Sequence, residues 1–91
     1  MEFEWDAGKD AANRAKHGVS LAEAVNLDWE AGQTRPDLRR DYGEGRTEIL
    51  ARLGDRLHQC VFTMRDGAIL VISLRKANKR EEGRYEQARP K

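Results

Sequence analysis

The side chains in this chain that could do chemistry are mainly cations, and they fall near residues 9–17 and 65–85. The set is Lys9, Lys16, His17, Arg65, Arg75, Lys76, Lys79, Arg80, Glu81 and Tyr85. Arg and Lys can stabilise the charge that develops on phosphate when an RNA backbone is cleaved, and His, Glu or Tyr can move the protons. Such a reaction requires no metal. The sequence contains no hydrolase nucleophile motif, phosphate-binding loop, dinucleotide fingerprint or metal-ligand spacing.

Each group also has a purely structural interpretation. Lys9, Asn13, Lys16 and His17 fall on one stripe of a predicted helix, which could be a solvent face whose last cations match the helix dipole. Arg75 and Lys76 end a predicted strand just before a helix N-cap, a place where functional residues often sit. Arg80 could instead only pair with neighbouring glutamates, and Tyr85 could pack the helix down or stack on a base. His58 lies inside an apolar strand, where a structural histidine is favoured.

Composition narrows the class of protein. Ninety-one residues predict one domain, 1–91, and a single cysteine, Cys60, excludes an intramolecular disulfide. An acidic N-terminus without an apolar segment, and no long apolar run, predict a cytoplasmic protein without a membrane contact. Residues 1–55 hold 8 Lys/Arg and 12 Asp/Glu, whereas residues 56–91 hold 9 and 4. The basic second half indicates a polyanion-binding face.

Periodicity and capping residues predict the elements that position these side chains. The predicted order is a strand at 2–5, helices at 7–17 and 21–27, strands at 47–53, 57–65 and 68–75, and a helix at 79–88. Residues 30–46 are predicted to be a long loop. The predicted fold is therefore α+β, with a small antiparallel sheet, two N-terminal helices and a C-terminal helix.

Two turn sequences set a predicted strand register. Gly54-Asp55 suits a type II′ hairpin and Asp66-Gly67 suits a type I′ hairpin. With these turns Ala51 faces His58 and Ile49 faces Cys60 across the first hairpin. Across the second, Phe62 faces Val71, Cys60 faces Ser73 and His58 faces Arg75. His58, Ser73 and Arg75 are then predicted to lie together at one end of a single sheet face.

The two ends of the chain resemble the BrnT toxins. The N-terminal resemblance rests on Phe3-Glu4-Trp5-Asp6, Lys9, Asn13, Lys16-His17-Gly18-Val19-Ser20 and Glu23-Ala24. The C-terminal resemblance rests on Ile72-Ser73-Leu74-Arg75-Lys76-Ala77, Glu81 and Tyr85-Glu86. Both runs occur in the order typical of that family, whereas residues 29–45 carry no resemblance.

The resemblance implies a RelE-like fold and ribonuclease activity on messenger RNA that arrests growth. It also implies a BrnA-like antitoxin with a ribbon-helix-helix domain, through which alone the complex would contact operator DNA. No cofactor is expected. The residues given functional weight by this resemblance are His17, Arg65, Arg75, Lys76, Arg80, Glu81 and Tyr85.

Two hypotheses follow. In the first, the chain is a metal-independent endoribonuclease in which Arg75 and Arg80 clamp the scissile phosphate and Lys76 stabilises the phosphorane. His17 or Glu81 would be the general base, Tyr85 would stack on a base, and Lys9, Lys16, Arg65 and Lys79 would bind substrate. In the second, the chain is a non-catalytic module that binds an antitoxin or RNA. Direct DNA binding is less favoured, because net charge is near zero and no recognition-helix pattern is present.

Overall fold

The computed structural model describes residues 1–39, 41 and 43–89. Its helices and strands follow in the order β1 (Phe3–Glu4), α1 (Ala7–His17), a 3₁₀ helix (Leu21–Asn26), β2 (Gln33–Pro36), β3 (Thr47–Leu53), β4 (Arg56–Arg65), β5 (Ala68–Lys76) and α2 (Lys79–Ala88). None of these helices has the length and apolarity needed to cross a bilayer.

The strands form one five-stranded sheet in the order β1-β5-β4-β3-β2. The pairs β2–β3, β3–β4 and β4–β5 are antiparallel, whereas β1 runs parallel to β5 through Phe3–Ile69 and Glu4–Leu70. The sheet is therefore mixed, and the prediction of an antiparallel sheet was wrong. The chain is α+β as predicted, but its N-terminal part has one α-helix rather than two.

The segment predicted as a second α-helix is a short 3₁₀ helix. Its residues Leu21 and Ala24 and its C-cap residue Leu27 are buried and spaced by three positions, while Val25 is half exposed. A 3₁₀ helix has three residues per turn, so this spacing places all three side chains on one side. The terminal hydrogen bonds agree, because Glu23 N donates to the carbonyl of Ser20 and Leu27 N to that of Ala24.

The two α-helices begin and end where their capping residues predict. Asp6 accepts a hydrogen bond from Lys9 N at the start of α1, and Gly18 ends it with φ of 74°. That left-handed conformation is cheap for glycine, which explains the stop. Helix α2 starts with a capping box between Asn78 and Glu81. The predicted bounds of both helices are confirmed.

The predicted loop at 30–46 contains an edge strand. Strand β2 pairs with β3 from Gln33–Leu50 to Pro36–Thr47. A side chain at Gly32 would come within 2.7 Å of the Ile49 side chain, so glycine permits this close approach to the core. The prediction of a long structureless loop was wrong for these residues. Residues 40 and 42 of that loop lie outside the described residues.

The sheet buries a cluster of apolar side chains on each face. One face packs on the 3₁₀ helix through Ile49, Ala51, Cys60, Ile69, Val71 and Leu74, with Phe3, Trp29 and Phe62 at its margin. Trp29 contacts Phe62 edge-to-face, with ring centroids 5.2 Å apart. The opposite face packs Leu50, Leu57 and Ala77 against Tyr85 of α2. Helix α2 therefore docks on the sheet face away from the 3₁₀ helix.

A β-bulge in β5 changes the predicted register. Phe62 pairs with Val71 as predicted, but Val61 pairs with Ser73, which leaves Ile72 as an extra residue. An extra residue inverts which face every later side chain occupies. Cys60 therefore pairs with Leu74 instead of Ser73.

The bulge also corrects the predicted polar grouping. His58 pairs with Lys76 rather than Arg75, and Arg75 lies opposite Gln59 on the face covered by α2. His58, Ser73 and Arg75 therefore do not share one face. The reason is packing, because the inversion lets Leu74 become fully buried in the core.

Candidate active site

Arg75 at the end of β5 is held by Glu81 in the first turn of α2. Arg75 Nη1 donates to Glu81 Oε1 over 2.8 Å, and Nη2 donates to Oε2 over 2.9 Å. The side chains are 28% and 10% exposed. A bidentate pair of this kind fixes the guanidinium plane as well as its position. Arg75 is therefore presented in one orientation beside the strand end.

Glu81 is itself fixed by the cap of α2. Its Oε1 accepts a hydrogen bond from Asn78 N over 2.9 Å, and its own N–H donates to Asn78 Oδ1 over 2.8 Å. Burial acts to raise the pKa of Glu81, but the hydrogen bonds from Arg75 and Asn78 and the charges of Arg75 and Arg84 outweigh it and lower that pKa. An ionised carboxylate with both oxygens engaged suits positioning of Arg75 better than proton transfer.

Asn13 positions α1 against the edge of β5. Strand β1 ends at Glu4, and further along that edge Asn13 takes the place of a neighbouring strand. Its Nδ2 donates to the carbonyl of Leu74 over 2.8 Å, and Leu74 N donates to its Oδ1 over 3.2 Å. Asn13 Nδ2 also donates to the carbonyl of Val19. His17 lies one helical turn beyond Asn13 and so beside the end of β5.

His17 combines partial burial with a cationic environment. Burial is the largest cause that lowers its pKa, followed by the positive charges of Lys16 and Arg75. The imidazole is therefore mostly neutral at neutral pH and able to accept a proton. The hydrogen bonds between Asn13 and Leu74 dock α1 on β5. His17 lies four residues after Asn13 and Arg75 one residue after Leu74, so both belong to the region of this contact although they are distant in sequence.

A shallow depression of about 240 Å³ surrounds His17. Lys9, Asn13, Lys16 and Ile72 contribute to its lining. The ammonium side chains of Lys9 and Lys16 are exposed, so both can meet a polyanion. Arg65 lies instead in an adjoining cleft, which shares Lys9 and Ile72 with this depression.

The remaining predicted site residues differ in solvent exposure. Lys76 at the end of β5 and Lys79 and Arg80 in the first turn of α2 are exposed. Tyr85 is only 6% exposed and packs with Leu50, Leu57 and Ala77. Its ring therefore belongs to the core, a position that does not suit the predicted stacking on a base.

Sequence reasoning missed a polar network behind the site. Glu48 of β3 is buried and accepts hydrogen bonds from Arg84 over 2.8 Å and from Arg35 and Gln59 over 3.1 Å each. Arg84 also acts electrostatically on Glu81. The only sequence signal was a charged residue inside an apolar strand, because the partners come from β2, β4 and α2.

The other titratable residues singled out in the sequence are structural. His58 is buried, with Nδ1 3.0 Å from the carbonyl oxygen of Arg56. Cys60 is fully buried, and burial raises the pKa of its thiol to about 12, which suppresses its reactivity. Within the described ranges, no group of three or more His, Cys, Asp or Glu side chains is arranged to hold a metal ion.

A larger depression, about 460 Å³, lies away from His17 beside residues 35–39 and Glu48. Its carboxylates are already engaged: Asp37 accepts from Arg39 over 2.8 and 2.9 Å, and Glu48 accepts from Arg35 and Arg84. Carboxylates held by guanidinium groups are poor proton acceptors. We therefore place the candidate active site at the depression lined by His17, close to the end of β5 that carries Arg75, although this depression is the smaller of the two.

The fold and site define a class of protein: a small α+β protein with a histidine, a fixed arginine and several exposed lysines near one edge of the sheet. This set of side chains suits phosphodiester chemistry. The family model described as "Ribonuclease toxin, BrnT, of type II toxin-antitoxin system" matches residues 5–81. The chain therefore belongs to the BrnT family, a family of ribonuclease toxins whose systems include a protein antitoxin. A comparison with curated proteins finds no match.

Proposed function

We propose that this protein is a metal-independent endoribonuclease that cleaves messenger RNA in the cytoplasm and thereby arrests growth. The observation that carries the proposal is the docking of α1 on the end of β5, where Asn13, one helical turn before His17, pairs with Leu74, the neighbour of the Arg75 that Glu81 holds. A neutral imidazole beside a fixed guanidinium supplies a proton acceptor and an anion-stabilising group together.

In the proposed reaction, His17 removes the proton from the 2′-hydroxyl, and the 2′-oxygen attacks the adjacent phosphorus. The bond to the 5′-oxygen breaks, and this oxygen takes a proton from a neighbouring ammonium group or from water. The products are a 2′,3′-cyclic phosphate and a 5′-hydroxyl end. Arg75 and Lys76 stabilise the extra negative charge on phosphate oxygens, so the residues present can supply each step without a metal.

The surrounding residues have supporting roles in this proposal. Glu81 is a positioning residue, because it holds Arg75 through two short hydrogen bonds and is held in turn by Asn78. The exposed cations Lys9, Lys16, Lys79 and Arg80 bind phosphates on either side of the scissile bond. Such contacts supply most of the sequence-independent affinity of proteins for nucleic acids.

We further propose that the antitoxin is BrnA-like and carries a ribbon-helix-helix domain, and that operator DNA is contacted only through it. The antitoxin would inhibit by covering the cationic surface around His17 with acidic or apolar groups. Complementary charge at an interface of this kind speeds association and selects the partner.

Cleavage of a defined RNA by the purified protein in EDTA tests the proposal. We expect cleavage by the parent, strong loss in His17→Ala and Arg75→Gln, and no loss in Arg89→Gln, a matched change at the far end of α2. Mass analysis of the fragments should find cyclic phosphate ends. Equal cleavage by the parent and both site variants, or cleavage only with added metal, would contradict the proposal.

A further inference from the structure

A cleft of about 260 Å³ lies next to the candidate active site. Its lining includes Lys9 at the start of α1, Arg46 and Glu44 before β3, Arg65 at the end of β4, and Leu70 and Ile72 of β5. Leu70 and Ile72 are half-buried, so they form an apolar floor that remains accessible. Cations rim this floor, although the carboxylates of Glu44 and Asp6 also line the cleft.

The cleft and the depression around His17 form a continuous track. Both are lined by Lys9 and Ile72, which stand at their shared boundary. Ile72 is the extra residue of the β-bulge in β5. A chain bound at His17 and Arg75 that extends along β5 past Ile72 would enter this cleft with its next nucleotide.

The chemistry of the cleft suits one nucleotide. Half-buried aliphatic side chains such as Leu70 and Ile72 offer dispersion contact to the flat face of a base. Lys9 and Arg65 at the rim can pair with a backbone phosphate, Arg as a planar fork and Lys as a point charge. We infer, on the basis of the proposed function, that this cleft is a subsite for an RNA nucleotide that flanks the scissile phosphate.

Glu44 occupies the phosphate position of this subsite in the unbound protein. Arg65 Nη2 donates to Glu44 Oε2 over 3.2 Å, and Glu44 Oε1 lies 3.7 Å from Arg46 Nε. The Arg65–Glu44 pair is exposed, at 54% and 33% for the two side chains. An exposed ion pair costs little to break, so a phosphate can displace the carboxylate from Arg65.

The arrangement gives a test in which two substitutions act with opposite sign. Non-cleavable 2′-O-methyl oligonucleotides with a fluorescent label report affinity by anisotropy without any catalysis. Arg65→Gln should weaken binding of a tetranucleotide, and Glu44→Gln should tighten it, each by roughly two- to fivefold, the range of one exposed ion pair. A dinucleotide, which is too short to span both sites, should bind all variants equally.

Matched controls come from the exposed Arg89–Glu86 pair at the end of α2, whose atoms lie 3.3 Å apart. Arg89→Gln and Glu86→Gln make the same charge changes outside the cleft, so they measure the general electrostatic effect. Methyl NMR signals of Leu70 and Ile72 should shift with the tetranucleotide and stay in place with inorganic phosphate. Shifts of equal size with phosphate alone would overturn the base contact.

The outcomes separate this inference from the proposed nuclease activity. If the protein does not cleave RNA but the two cleft variants move affinity in opposite directions, the subsite stands and the nuclease proposal fails. If the protein cleaves RNA and both cleft variants bind the tetranucleotide like the controls, the subsite is overturned. Absence of RNA binding by the parent, or weakening of the antitoxin complex with unchanged RNA affinity, would also overturn it.

Discussion

Two Arg–Glu pairs lie near the proposed path of RNA, and they differ in how firmly the two side chains are held together. The Arg75–Glu81 pair is bidentate at 2.8 and 2.9 Å, and its carboxylate is 10% exposed. The Arg65–Glu44 pair makes a single 3.2 Å hydrogen bond, and its carboxylate is 33% exposed. The same two residue types therefore form a fixed pair at the end of β5 and a loose pair at the end of β4.

The difference arises from the local structure around each carboxylate. Glu81 is part of a helix capping box: the backbone N–H of Asn78 donates to its carboxylate, and its own backbone N–H donates to the Asn78 side-chain oxygen. Glu44 lies before β3, outside any helix or strand, and faces Arg46 as well. A carboxylate fixed by local structure can orient its arginine for catalysis, whereas a carboxylate that is easily displaced leaves its arginine available to a ligand.

The largest expected effect comes from removing the fixed cation. Arg75→Gln keeps a polar side chain but removes the positive charge and the paired N–H donors of the guanidinium group beside the proposed phosphate position. We expect cleavage to fall by roughly 10²- to 10³-fold, the range seen when one preorganised charge-stabilising donor is lost. Single-turnover rates on a defined RNA measure this, with Arg65→Gln beside it. A smaller loss in Arg75→Gln than in Arg65→Gln would reverse the assignment of the two pairs.

The next effect tests Glu81 as a positioning residue. Glu81→Gln can still accept from Asn78 N, so α2 should keep its cap while Arg75 loses a bidentate partner. We expect kcat to fall by roughly 10- to 100-fold with little change in KM, because misplacement of a catalytic group by about 1 Å has an effect of this order. Glu82→Gln, an exposed neighbour 3.9 Å from Arg56, is the control and should cleave normally.

The same pair should also appear in the pH dependence of stability. Because the pKa of Glu81 is lowered from its ordinary 4.5 in the folded protein, the charged form contributes stability above that value. This contribution is lost as the pH falls through the lowered pKa. Urea unfolding of the parent and Glu81→Gln should therefore differ at neutral pH and converge in acid. A constant difference across this range would show that Glu81 acts through packing alone.

Features set by neighbours in sequence were predictable, and the cap that holds Glu81 is one of them. Asn78 and Glu81 stand three positions apart before a helix, a spacing that predicts the capping box seen in α2. Gly67 and Asp66 have φ of 81° and 52°, as the predicted type I′ turn requires. The α1 stop at Gly18 is of the same kind. Each of these three features depends on the backbone preferences of residues within one turn, so it can be predicted from a single sequence.

Features set by distant packing were not predictable. Whether β5 carries a bulge depends on whether Leu74 or Ser73 fills the space opposite Cys60, and the two alternatives differ only in tertiary contacts. The pairing of Arg75 with Glu81 follows from that bulge. Likewise β2 has little strand pattern of its own and is defined by its pairing with β3. The site residues could be nominated from sequence, but their partners could not.

A smaller effect concerns the influence of each arginine's positive charge on the pKa of His17. Burial, Lys16 and Arg75 lower the pKa of His17, whereas Arg65 is not among the causes. Arg75→Gln should therefore raise this pKa towards its ordinary 6.5, and Arg65→Gln should leave it unchanged. NMR titration of the His17 ring measures this even where cleavage is lost. In the parent, cleavage should rise with pH through the pKa of His17, because the base must be neutral.

The smallest expected effect is on stability at the loose pair. Glu44→Gln and Arg65→Gln each remove one partner of an exposed ion pair, whose net contribution is about 0–1 kcal/mol because water solvates the remaining charge. Their free energies of unfolding in urea should stay within this range of the parent, and added salt should reduce the difference further. A loss of about 3 kcal/mol, as expected when a buried pair is broken, would mean that the cleft carboxylate is structural. Glu44 could then not yield its place to a phosphate, and the contrast between the two pairs would disappear.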